Sequence, residues 1–161
     1  MFLLYRYEVL LVFCLSLIFI KPAYSSEQIT DTYQSWLKNK FASQHEKLLP
    51  VVAVADMFYG CNAVRQIDPK KHQVKDLIVK MDQNQLADKL IECLGKSGIK
   101  SEEAINFGLI GCFTEQFTLL KPEDKKEKLK QVNAILLTLS YPEKQKTFTK
   151  CTTMQAIDYL K

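Results

Sequence analysis

Apolar residues recur along this chain at spacings of three and four, the period of amphipathic helices rather than strands. A first helix is expected from Ser26 to about Lys47, with Ile29, Tyr33, Trp36, Leu37 and Phe41 as its stripe. Pro50 suits the first position of a second helix, 50–66, whose stripe is Val51, Val54, Phe58 and Cys61. Asp68-Pro69 reads as an N-cap and N1 proline opening a short helix with Val74, Leu77, Ile78 and Met81 inward. Asp82-Gln83-Asn84-Gln85 has capping-box form and opens a helix through Cys93, closed by Gly95.

After the loop-like Lys96–Lys100 segment, Ser101-Glu102-Glu103 caps a long helix, 101–120, carrying Ile105, Leu109, Cys112, Phe113 and Phe117. Pro122-Glu123-Asp124 opens the next, with acids at the positive helix end and Leu129, Val132, Ile135, Leu136 and Leu139 inward. Ser140-Tyr141-Pro142 punctuates, and a last helix, 142–160, carries Phe148, Cys151, Met154, Ile157 and Leu160. Glycine is scarce and no Asn-Gly or Asp-Gly hairpin signal occurs. The expectation is an all-α bundle of about seven helices.

The start of the chain has the form of a leader. Arg6 supplies a positive n-region, Leu10 to Ile20 is an apolar core too short to span a bilayer, and Ala23-Tyr24-Ser25 carries small residues at the positions of a signal-peptidase site. Phe13 before Cys14 spoils a lipid-attachment motif. The expectation is a signal peptide, 1–25, cleaved near Ser25 and leaving no membrane anchor. One secreted or periplasmic domain follows, 26–161, divided into an N-terminal helix (26–49), unit 1 (50–98) and unit 2 (101–160).

Export makes the remaining cysteines candidates for disulfides. Cys61, Cys93, Cys112 and Cys151 permit three connectivities. A doubled pattern favours one of them. Gly60-Cys61, the Pro-Lys-Lys run at 69–71, an amphipathic stretch and Cys93 are echoed by Gly111-Cys112, Pro122 with Lys125-Lys126, another stretch and Cys151. If the echo is an internal repeat, the pairs are Cys61–Cys93 and Cys112–Cys151. Each bridge would then be worth about 3.5–4 kcal/mol of chain entropy.

The formal charge of +4 is too mild for a nucleic-acid binder. His45 and His72 stand in polar, lysine-bearing surroundings without metal-ligand spacing, and no cofactor is implied. There is no P-loop, GxGxxG or Gly-x-Ser-x-Gly, and disulfide pairing removes a cysteine nucleophile, so no enzyme is expected. Asp56, in the run Val-Val-Ala-Val-Ala-Asp-Met-Phe-Tyr, would be a general acid or base if buried. On a helical wheel, however, it sits beside Gly60 and Ala63, away from the apolar stripe. Glu115, between Phe113 and Phe117, is treated alike. A small hydrolase using these two acids is the third-ranked reading.

The lysines carry the leading one. Lys70 and Lys71 follow Pro69, and Lys125 and Lys126 follow Pro122, each pair expected in the first turns of a helix where free N–H groups favour an anion. Asp76, Glu123, Asp124 and Glu127 partly cancel them. The expectation is an exported, effector-type, non-catalytic module that binds anionic phospholipid headgroups or a protein surface, for which Trp36, Tyr59, Tyr141 and Tyr159 offer interface chemistry. The alternative is a periplasmic accessory or inhibitor protein docking onto an enzyme or secretion component.

Overall fold

The computed structural model of the chain describes the backbone of residues 27–161, and the side chains of 35, 36 and 38–161. The leader and the stripe positions Ile29, Tyr33 and Leu37 lie outside the described side chains. Among the described residues there are six helices and no strand: α1 (Glu27–Arg65), α2 (Val74–Val79), α3 (Gln83–Leu94), α4 (Glu102–Gln116), α5 (Pro122–Leu136) and α6 (Tyr141–Tyr159). Two compact units are distinguished, one ending at Asn39 and one comprising Lys40–Lys161. In the first, Trp36 is exposed.

Two expected boundaries move. The helices foreseen on either side of Pro50 are one, with Pro50 inside α1. Proline deprives the Glu46 carbonyl of its helical donor. Both residues are exposed, so water can solvate that carbonyl, while Leu48, Leu49 and Val52 on the other side already pack in the core. Core contact outweighs the lost bond. Conversely, Pro69 opens no helix. Residues 66–73 form a loop, and α2 begins only at Val74 after Gln73.

The other caps follow local chemistry. Asp82 accepts from the backbone N–H groups of Asn84 and Gln85, and Gly95 ends α3 at φ 59°. Ser101 Oγ accepts from Ala104 N at 3.1 Å, and Pro122 occupies the first turn of α5. At the start of α6, Ser140 N donates to Glu143 Oε2 at 2.8 Å.

The core draws on α1 (Val52, Ala55, Phe58), α2 (Val74, Leu77), α3 (Leu86, Leu90), α4 (Ala104, Phe107, Leu109) and α6 (Phe148, Ala156). Both disulfides lie inside it. Cys61–Cys93 joins α1 to α3, and Cys112–Cys151 joins α4 to α6. The stretch Lys38–Arg65 is long and apolar enough to cross a membrane (mean hydropathy 1.3), yet Val52, Ala55, Phe58 and Cys61 are core residues.

The Gly-Cys steps have a packing reason. A Cβ at Gly60 would lie 2.0 Å from the Phe107 carbonyl oxygen, and one at Gly111 would lie 2.2 Å from that of Asp56. Helices α1 and α4 therefore cross backbone against backbone, a separation that only glycine permits. The two contacts also mirror each other. Asp56 stands four residues before Gly60, Phe107 stands four before Gly111, and each glycine meets the residue preceding the other.

Three inward faces differ from the expectation. On α1 Val52 and Ala55 are fully buried beside Phe58 and Cys61, whereas Val51 and Val54 are half-buried. On α6 the buried positions are Lys144, Phe148, Cys151, Thr152, Gln155 and Ala156, whereas Met154 and Ile157 are exposed. Steps of three drift off the 3.6-residue period, so Met154 and Ile157 leave the face that Phe148 and Cys151 share with Thr152 and Gln155. On α5 only Leu136 is fully buried, and Ile135 is exposed. Helix α5 is peripheral.

Candidate functional site

The loop 66–73 is organised around one carboxylate. Asn62, on the last turn of α1, donates from Nδ2 to the Asp68 carbonyl at 3.0 Å, and its Oδ1 accepts from Asp68 N at 2.7 Å. The Asp68 side chain accepts from Lys89 Nζ at 2.6 Å, pairs with His72 Nε2 at 2.8 Å and accepts from Lys70 N at 2.9 Å. Lys89 and then His72 hold its carboxyl far below the usual range. The His72 side chain is 7% exposed, edge-on to Phe58 with centroids 5.6 Å apart, and so is a packed loop residue. His45 contacts the Thr153 carbonyl. Among the described residues no group of His, Cys, Asp and Glu is arranged to hold a metal ion.

Lys70 and Lys71 are exposed on this loop between two depressions of about 590 and 490 Å³. Phe58, Tyr59 and Asn62 line the first; Asp76, Met81 and Lys89 line the second. The expectation that they occupy a helix start is corrected, because the chain there is tied to Asp68 rather than wound into a helix. Lys125 and Lys126 do lie in the first turns of α5. They line a separate depression of about 520 Å³ with Pro122, Leu129, Lys130 and Asn133. None of the three depressions is shared by both lysine pairs.

Around α5 the sequence understated what is exposed. Leu119, just before the helix, is 97% exposed, and Leu137, at its end, is 86% exposed. Lys126, Lys130, Asn133 and Leu137 follow at spacings of four, three and four, which puts them on one exposed strip. Charge and apolar surface thus share one helix whose other side rests on the core through Leu136.

Asp56 departs furthest from its expected position. It is fully buried, because the close crossing with α4 encloses the α1 face bearing Gly60. Burial pushes its carboxyl well above the usual range; the Gln155 amide opposes the shift and nearby Glu115 adds to it. Glu115 is half-buried and accepts from the Tyr159 hydroxyl at 2.8 Å. Burial, then this carboxylate, push the Tyr159 phenol far up; burial also raises Tyr59. Asp56 and Glu115 line none of the three depressions. Gln155, Thr152 and the buried Lys144, which pairs with Glu102 at 2.6 Å, escaped the sequence reading because polar residues on a helix carry no periodic signal of burial. Trp36 is exposed, whereas Tyr59, Tyr141 and Tyr159 are half-buried against the core.

Two disulfides fit an oxidising compartment. Compared with protein-family models, curated proteins and solved structures, the chain has no match.

Proposed function

We propose that this is a non-catalytic binding protein of the extracytoplasmic space that associates with anionic phospholipid surfaces, with α5 as the contacting element. The exposure of Leu119 and Leu137 at the two ends of a lysine-bearing helix carries this reading. Fully exposed leucines are unfavourable in water and favourable at the headgroup boundary, where flanking lysines add about 1 kcal/mol each. Lys125, Lys126 and Lys130 stand between those leucines, and Lys70 and Lys71 offer a second, separately placed pair. The expected leader and the two disulfides support an exported protein. The mirrored contacts of the two Gly-Cys helices support reading the chain as two related stapled units, 50–98 and 101–160.

The test is co-sedimentation with phosphatidylcholine vesicles with and without phosphatidylserine. Binding is expected only with the anionic lipid, and to fall away at 1 M salt, where the Debye length is about 3 Å. Changing Lys70, Lys71, Lys125 and Lys126 all to Glu should abolish it, and Leu119→Ser with Leu137→Ser should weaken it. Binding indifferent to both sets of changes refutes the proposal. Capture of a stoichiometric envelope protein that survives high salt would favour a protein partner instead.

A further inference from the structure

Helices α1, α4 and α6 meet at a carboxyl group. Asp56 Oδ1 accepts from Gln155 Nε2 at 3.2 Å, with Asp56 fully buried and Gln155 almost so. Two oxygens there have no hydrogen-bond partner: Asp56 Oδ2 and Gln155 Oε1. They belong to the same two groups that this single bond joins. A carboxylate oxygen and an amide carbonyl are both acceptors, so neither satisfies the other. One proton changes that. A carboxylic acid facing a primary amide makes two parallel hydrogen bonds and satisfies both oxygens at once.

The neighbours favour the neutral acid as well. The titratable groups facing Asp56 are Glu115 of α4 and Tyr159 of α6, and Tyr59 of α1 faces the same Glu115. Glu115 accepts the Tyr159 hydroxyl hydrogen bond and offers Asp56 no opposite charge to pair with. Gln155 is uncharged, and the groups acting on Asp56 include no cation. An ionised Asp56 would be a buried anion with no cation to pair with, and nearby Glu115 disfavours it further.

We propose that Asp56 is the neutral acid in the folded protein at neutral pH, its Oδ2–H donating to Gln155 Oε1, and that this acid–amide pair makes the α1–α4–α6 junction more stable as the surroundings acidify. The folded protein then keeps a proton that the unfolded chain releases above about pH 4. The stability so contributed is complete below the unfolded carboxyl's pKa and is lost as pH rises toward the folded value. Within that window each pH unit changes the folding constant up to tenfold. A carboxylate in ion pairs, such as Asp68, acts with the opposite sign.

Two measurements test this on the disulfide-intact protein. In carbon-13 spectra of aspartate-labelled protein, one carboxyl is expected to keep the shift of a protonated acid at pH 7. Ionised shifts for every aspartate would overturn the proposal. In urea denaturation between pH 4.5 and 7.5, Asp56→Asn keeps both hydrogen bonds at every pH, so its folding constant should gain on the wild type by up to tenfold per pH unit. A ratio constant with pH would overturn it too. Asp56→Ala, which leaves Gln155 without either partner, should be the least stable of the three throughout, and if neither variant folds the spectra of the wild type decide.

Discussion

The Gly60–Gly111 crossing offers a sharp test of how this fold is assembled. In Gly111→Ala the new methyl would lie 2.2 Å from the Asp56 carbonyl oxygen, whereas ordinary contact begins near 3.4 Å. The obstacle is backbone, which cannot swing aside, so α1 and α4 must part by roughly an ångström, enough to forfeit a quarter to a half of each dispersion contact across the gap. Phe58 and Phe107, each worth about 1.5–3 kcal/mol of burial, stand at the crossing. A weakened Asp56–Gln155 bond adds about 1 kcal/mol. Alanine's better helix propensity returns about the same amount. The net cost is about 1–3 kcal/mol, the usual range for overpacked cores, and a fall in Tm of about 5–12 °C. Urea and thermal denaturation of the oxidised protein measure it. Gly98→Ala, with no atom within 4 Å of the added methyl, is the control and should lie within about 0.5 kcal/mol of wild type. Because one separation relieves both clashes, Gly60→Ala with Gly111→Ala should cost less than the two single changes added together. A Gly111→Ala protein as stable as the control would refute the close-crossing argument.

Replacing Cys61 and Cys93 together by Ala, or Cys112 and Cys151, opens loops of 32 and 39 residues. Each change should cost about 3.5–4 kcal/mol by loss of the chain-entropy constraint. A smaller effect in the matched urea curves than the clash at Gly111 produces would contradict that ranking. Asp68→Asn removes the partner of Lys89 and His72. Since those contacts lower the Asp68 pKa, their stabilisation is complete above the unfolded carboxyl's value and is lost progressively as pH falls from there through the lower folded value. The variant should therefore be less stable than wild type at pH 7 and converge on it toward pH 2, as followed by denaturation at each pH; a gap independent of pH would contradict an ionic origin.

What was legible in the chain was mostly local. Asp82, Ser101, Pro122 and Gly95 act within a turn of themselves, so they mark helix ends wherever the helix sits. Apolar period was enough for the helical class and for most of the core. Local chemistry misled at both remaining prolines of the first half. At Pro50, packing of Leu48, Leu49 and Val52 carries the helix through; at Pro69, Asp68 is drawn into Asn62, His72 and Lys89 instead of capping the next turn.

The candidate site was legible only as residue types. Lysine pairs near prolines are visible in a sequence, but whether a helix start or a tied loop presents them depends on residues such as Asn62 and Lys89 that are remote or outside the motif. By itself the sequence determined an all-helical chain, its caps and a cysteine pattern consistent with two staples, because these rest on short-range geometry and on counting. Only the tertiary structure decided that Asp56 and Gln155 meet in the core, that α6 turns a polar strip inward and that α5 is left outside with exposed leucines. Those outcomes follow from which helix faces touch. That is set by two glycine contacts and two disulfides acting across the whole domain.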